Sequence, residues 1–157
     1  MTNPMKNIED LYELSPMQQG MLFHTLYAPE SELYFEQLLC TLSGELNFPA
    51  FQQAWHSVVA RHPVLRSSFY WEEIEKPLQM VSKQVELPWV KLDWRHLTPK
   101  EQQQHLGDFL KCDRQKGFEL NVAPLMRFTV ILLEEQIYQF IWSHHHILFD
   151  GWSMQIV

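Results

Sequence analysis

The sequence predicts an α/β fold, a mixed sheet with flanking helices, on three observations. Segments of helical and of strand periodicity alternate along the 157 residues without a repeat or a low-complexity linker. Two proline-led helix starts carry the capping-box pattern, Ser15-Pro16-Met17-Gln18 and Thr98-Pro99-Lys100-Glu101. Two long apolar runs flank Glu134-Glu135 and read as a hairpin.

Taken in order, the first helix starts at Ser15 and runs through His24 to about Tyr27. Its Met17, Met21, Leu22 face has the spacing of a buried helix stripe. Residues 34–42 alternate as a strand, and Asn47 caps a second helix whose Phe48, Phe51, Trp55, Val58 and Val59 share a face until Pro63 ends it. Residues 66–71, 78–81 and 89–93 read as three short strands, the first two joined by an acidic connection. Thr98 starts a third helix that Gly117 stops after Lys116. The hairpin of residues 125–133 and 136–143 then delivers a cluster of histidines at a strand-to-helix junction. The last six residues begin as an amphipathic helix and stop without a cap or glycine, so a truncated element is expected there.

Composition narrows the function classes. A chain of this length buries roughly 68–70% of its unfolded surface, and 46% hydrophobic content suits one compact unit. The net charge is −7, and the twelve basic residues form no run or stripe, which argues against nucleic acid and anionic membranes as partners. Cys40 and Cys112 have no metal or disulfide spacing and read as reduced thiols. The N-terminus lacks an apolar signal region and no stretch approaches the roughly 18 apolar residues of a membrane span, so a cytoplasmic location is expected.

The chemistry concentrates in Ser143-His144-His145-His146-Ile147-Leu148-Phe149-Asp150-Gly151-Trp152. Successive strand side chains face opposite sides, so His145 and His146 have different environments and different jobs. His146, beside the loop, is the candidate base, with Asp150 bracing a turn that Gly151 closes through its wider dihedral range. Two other readings are a metal site and a purely structural histidine run. Ligands from consecutive strand positions diverge and no HExxH or CxxC spacing accompanies them, which disfavours a metal. The Asp-Gly-Trp continuation disfavours a purely structural run.

His145-His146-Ile147-Leu148-Phe149-Asp150-Gly151 resembles the HHxxxDG signature of nonribosomal peptide synthetase condensation domains, within the chloramphenicol acetyltransferase-like superfamily. Two further segments match in that family's order. Leu14-Ser15-Pro16-Met17-Gln18-Gln19-Gly20-Met21-Leu22-Phe23-His24 resembles its opening motif, and Arg61-His62-Pro63-Val64-Leu65-Arg66-Ser67-Ser68-Phe69 its RHxxLRxxF motif. The resemblance covers nearly the whole chain but only the first of the family's two lobes, giving residues 15–157 as an N-terminal lobe truncated before the second.

The resemblance implies amide formation between a donor peptidyl or aminoacyl thioester and an acceptor aminoacyl thioester. Both arrive on phosphopantetheine arms of carrier domains, with no cofactor or metal bound by this lobe itself. His146 would act as base or position the amine, His145 would support it, and the Gly151 N–H would serve as an oxyanion donor. Asp150 and Arg66 would form a structural ion pair beside Trp152, with His24 and His62 in supporting positions. The opening motif departs from the SxAQxRLW form and resembles domains that take a D-configured donor. The missing C-terminal lobe is an expected partner, and the lobe alone is expected to be inactive.

Other readings stay open. Residues 1–14 resemble a short N-terminal docking segment that accepts the C-terminal helix of an upstream synthetase, with Glu9, Asp10 and Glu13 meeting basic residues; a lead-in strand is the equal alternative. Epimerization domains share HHxxxDG and are the main enzymatic rival, ahead of a free acetyl-CoA-dependent acyltransferase. Heterocyclization is disfavoured, since that subfamily replaces the histidines with aspartates.

Overall fold

The structure, a computed structural model, describes residues 7–157, the side chain of Glu30 excepted. The first six residues of the expected docking segment therefore lie outside the described residues.

Two sheets organise the fold. The larger has the strand order β2 (Phe35–Ser43), β7 (Ile137–His145), β6 (Met126–Glu134), β5 (Trp89–Asp93). Its β2–β7 and β6–β7 pairs are antiparallel, whereas β5 and β6 run parallel, joined by the crossover helix α3 (Pro99–Lys116). The smaller is antiparallel, in the order β1 (Ile8–Glu13), β4 (Leu78–Ser82), β3 (Ser67–Tyr70). Helices α1 (Pro16–Tyr27) and α2 (Phe48–Arg61) complete the mixed α/β architecture.

The local signals act as expected. Both capping boxes form, with the Gln18 N–H donating to Ser15 Oγ at 3.2 Å and the Ser15 N–H to Gln18 Oε1 at 3.0 Å. Asn47 Oδ1 accepts the Ala50 N–H at 3.0 Å to start α2. Gly117 ends α3 at φ 58°, a left-handed angle that costs a side-chain-bearing residue energy. Glu134 pairs with Ile137 across the hairpin turn.

Tertiary packing decides four details. Residues 8–13 form strand β1 beside β4, the lead-in strand that was one of two alternatives for this segment. Arg66 closes a 3-10 turn, Pro63–Arg66, so β3 begins one residue later than expected. Of the supposed buried face of α1, Leu22 is buried but Met17 is 70% exposed. The last segment is a single 3-10 turn, Ser153–Gln155, too short to build a helix face.

The main core lies between the large sheet and α2. Trp55 of α2 meets Phe128 at 4.5 Å and Trp142 at 5.0 Å between ring centroids, and Trp89 lies 4.5 Å from Phe128. Strand alternation puts Phe140, Trp142 and His144 on this face and Ser143 and His145 on the other, toward α3. There a polar cluster replaces the aromatics. Asp113 of α3 accepts from Arg127, from Ser143 Oγ at 2.6 Å and from Gln37 at 2.8 Å, tying α3 to three adjacent strands.

Candidate active site

The three consecutive histidines occupy three environments at the end of β7. His144 is fully buried, sandwiched between Trp142 (4.7 Å) and Phe149 (4.8 Å, nearly parallel), and neither ring nitrogen has a hydrogen-bond partner among the described residues. Burial lowers its pKa to about 4, so it is a neutral core ring at neutral pH.

His145 points the other way and is also buried. Its Nδ1 accepts the Ile147 N–H at 3.1 Å, which places the ring proton on Nε2. Burial first, then neighbouring His146 and His144, lower its pKa to about 4 as well. With Phe35, Arg114 and Phe118 it lines a cavity of about 440 Å³.

His146, the expected chemical residue, is half-buried and is the first residue beyond the strand. Its N–H donates to the Tyr34 carbonyl at 2.7 Å, extending the β2–β7 pairing by one step. Tyr34 has φ 67°, and its hydroxyl is 2.9 Å from Nδ1 of His24, which was expected in a supporting position. Nothing in the sequence singles out Tyr34; its part depends on β2 lying beside β7.

Beyond His146, Ile147, Leu148 and Phe149 are buried, and the Leu148 N–H returns to the His145 carbonyl at 3.2 Å. The three motif segments converge on this loop. Gln18 Nε2 donates to Ile147 O at 3.4 Å and to Gln79 Oε1 at 2.8 Å, and Gln79 Nε2 donates to Ser67 Oγ at 2.8 Å. Gln18 was legible as a capping residue, whereas Gln79 carried no signal, because its role arises only when the small sheet packs beside the loop.

Asp150 and Arg66 are not brought together. Arg66, 5% exposed, donates to Glu9 at 2.5 Å, to the Ser82 carbonyl and to Val59 O at 3.1 Å. It sits at the edge of the small sheet, where β1 supplies the carboxylate. Asp150 is exposed and accepts the Ser153 N–H at 2.8 Å; the Ser153 side chain first, and then this backbone bond, lower its pKa. It caps the terminal 3-10 turn. Gly151 does not have a left-handed φ, and a Cβ there would meet nothing within 4 Å, so within this lobe neither backbone strain nor crowding demands glycine. Trp152 is 82% exposed.

The three carboxylates expected to dock a partner have neighbours in the lobe. Glu9 holds Arg66, Asp10 accepts from the Tyr12 hydroxyl at 2.8 Å, and Glu13 pairs with Lys76 at 3.0 Å. Cys40 and Cys112 are free thiols. Among the described residues, no helix is long and apolar enough to cross a membrane.

Two buried neutral imidazoles on opposite faces of β7 therefore precede a half-buried third, just beyond a strand end whose backbone is held from three sides. Such a site can present one ring nitrogen to an incoming proton or amine.

The family model of the condensation domain matches residues 8–157. A component of the linear gramicidin synthase of Brevibacillus parabrevis is 51% identical over 152 residues, 97% of this chain and 2% of that protein. A component of the plipastatin synthase of Bacillus subtilis (strain 168) is 41% identical over 150 residues, 96% of this chain and 6% of that protein. The chain thus spans a few per cent of these relatives. Among solved structures, the starter condensation domain of rhizomide synthetase aligns with a TM-score of 0.82 at 19% identity, over 94% of this chain and 36% of that one. A four-domain nonribosomal peptide synthetase bound to AMP and glycine also gives 0.82, at 20% identity, over 94% of this chain and 11% of the other. Both share the mixed α/β fold described above.

Proposed function

The chain belongs to the condensation-domain family of nonribosomal peptide synthetases, and from that premise we propose that it is the histidine-bearing lobe of a domain that forms amide bonds between carrier-bound substrates. The amine of an acceptor aminoacyl thioester attacks the carbonyl carbon of a donor peptidyl or aminoacyl thioester. A C–N bond forms, the C–S bond breaks, and the donor carrier's phosphopantetheine leaves as a free thiol. His146 takes the proton that the amine loses or holds that amine in line, and the Gly151 N–H receives the developing oxyanion. The lobe acts with a second lobe and with donor and acceptor carrier domains, and by itself it is inactive. The opening segment, Ser15-Pro16-Met17-Gln18-Gln19-Gly20-Met21, supports a D-configured donor residue.

The observation that carries this reading is the seat of His146, half-buried at the end of the strand with its N–H held by Tyr34 at 2.7 Å. A ring carried on backbone held this way can meet a tethered amine without moving the backbone, and orientation of two tethered substrates lowers the barrier further. The test is dipeptide formation by the intact synthetase containing this sequence, with donors offered in D and L form. His146→Ala should lower turnover by about a hundredfold or more, the range for a positioned acid–base group. Wild-type turnover by that variant would refute the role, and equal use of both donor enantiomers would refute the stereochemical proposal.

A further inference from the structure

Resting on the role of His146 proposed above, we infer that Gln18 is a positioning residue for that histidine, acting through the Ile147 carbonyl in addition to capping α1. All the polar atoms of its side-chain amide are engaged. Oε1 accepts the Ser15 N–H at 3.0 Å, and Nε2 donates to Gln79 Oε1 at 2.8 Å and to Ile147 O at 3.4 Å. Helix capping needs only the oxygen. The nitrogen serves contacts 61 and 129 residues away, neither of which stabilises the helix start.

Those two contacts give the amide a fixed orientation. Gln79 is itself oriented by donating Nε2 to the hydroxyl of Ser67, a fully buried residue that follows Arg66. Its oxygen therefore faces Gln18 and requires a donor there. Ile147 is the residue after His146; its N–H is held by His145 Nδ1 at 3.1 Å and its carbonyl by Gln18. The peptide units on both sides of Ile147 are thus tethered, one to the neighbouring histidine and one to α1. With the His146 N–H held by Tyr34 O, the backbone carrying the His146 ring has little rotational freedom left.

One substitution separates the two jobs of Gln18. Gln18→Glu keeps an acceptor for the Ser15 N–H, and glutamate is a preferred residue at that position of a capping box, so α1 retains its start. It removes the N–H that reaches Ile147 O. Gln79 can turn its amide to donate to the new carboxylate, with the Ser67 hydroxyl exchanging its long 3.4 Å bond to the Pro63 carbonyl for one to Gln79, so the bond lost outright is the tether to the histidine loop.

The experiment compares wild type, Gln18→Glu, Gln18→Ala and His146→Ala in the intact synthetase. It reads thermal midpoint, kcat and KM for the acceptor carrier, and the rate at which diethyl pyrocarbonate modifies His146, followed by mass spectrometry. Gln18→Glu should melt like wild type, lose about tenfold in kcat at unchanged KM, the size expected for a modest misplacement, and show severalfold faster modification of His146. Gln18→Ala should share those changes and also melt lower, having lost the cap. Unchanged modification of His146 in Gln18→Glu overturns the inference, as does a Gln18→Glu midpoint as low as that of Gln18→Ala. The modification readout does not depend on turnover. Full activity in His146→Ala would therefore count against the proposed function, while the modification rates still decide whether Gln18 positions the loop.

Discussion

The seven-residue histidine motif divides into two unlike halves. From His145 to Phe149, four of five side chains are buried and the backbone is held by α1, by β2 and by its own turn; Asp150, Gly151 and the following Trp152 stand in the open, and the main interaction there is the Asp150 carboxylate with the first N–H of a 3-10 turn. The first half is built by the core of this lobe. The second half owes almost nothing to that core, so its residue types reflect the surface they present. One motif thus joins a rigid seat to an exposed rim.

Substitutions can break that comparison, and the largest effect falls in the seat. Phe149→Ala removes the ring stacked on His144 and should cost about 3–5 kcal/mol, measured by denaturant unfolding. Close behind is a pH effect. His144 and His145 have pKa values lowered to about 4 from 6.5, so the unfolded chain takes up protons in that interval that the folded chain refuses. Their contribution is complete above pH 6.5 and is lost as pH falls toward 4, on the order of 3 kcal/mol per histidine. Melting followed from pH 7 to 4 checks the sign; a midpoint that rises on acidification contradicts the burial of these rings.

Smaller effects sharpen the contrast. His144→Phe keeps the aromatic stack and removes two ring nitrogens without partners, so it should leave stability at pH 7 within about 1 kcal/mol of wild type and flatten the acid slope. Trp152→Ala, on the rim, should change stability by less than about 0.5 kcal/mol while remaining free to alter turnover. Smallest of all, Asp150→Ala should leave the melting midpoint unmoved, because its carboxylate caps a local turn and not Arg66. A marked drop in that midpoint would restore the Arg66–Asp150 pairing.

Much of this was legible in the sequence where cause and effect lie a few residues apart. Ser15, Asn47 and Thr98 start their helices through bonds to residues three positions on, and Gly117 stops one by its own φ. The hairpin follows from two apolar runs and a polar turn, and it sets His144 and His145 on opposite faces. Near the C-terminus the reading failed where it assumed a helix and a glycine-dependent turn: the segment is a single 3-10 turn, and Gly151 has no left-handed φ.

The sequence by itself determined the order of the three α-helices and of strands β2 to β7, the helix boundaries and the position of His146 at a strand end, since capping, periodicity and turn chemistry act within a few residues. Only the tertiary structure decided which partners those elements meet. Glu9 rather than Asp150 neutralises Arg66 across a separation of 57 residues, and Gln18 reaches Ile147 across 129. A guanidinium can pair with any carboxylate and an amide N–H with any carbonyl until packing brings one of them within 3.5 Å, and that choice belongs to the way the two sheets and the helices of the described residues close on one core.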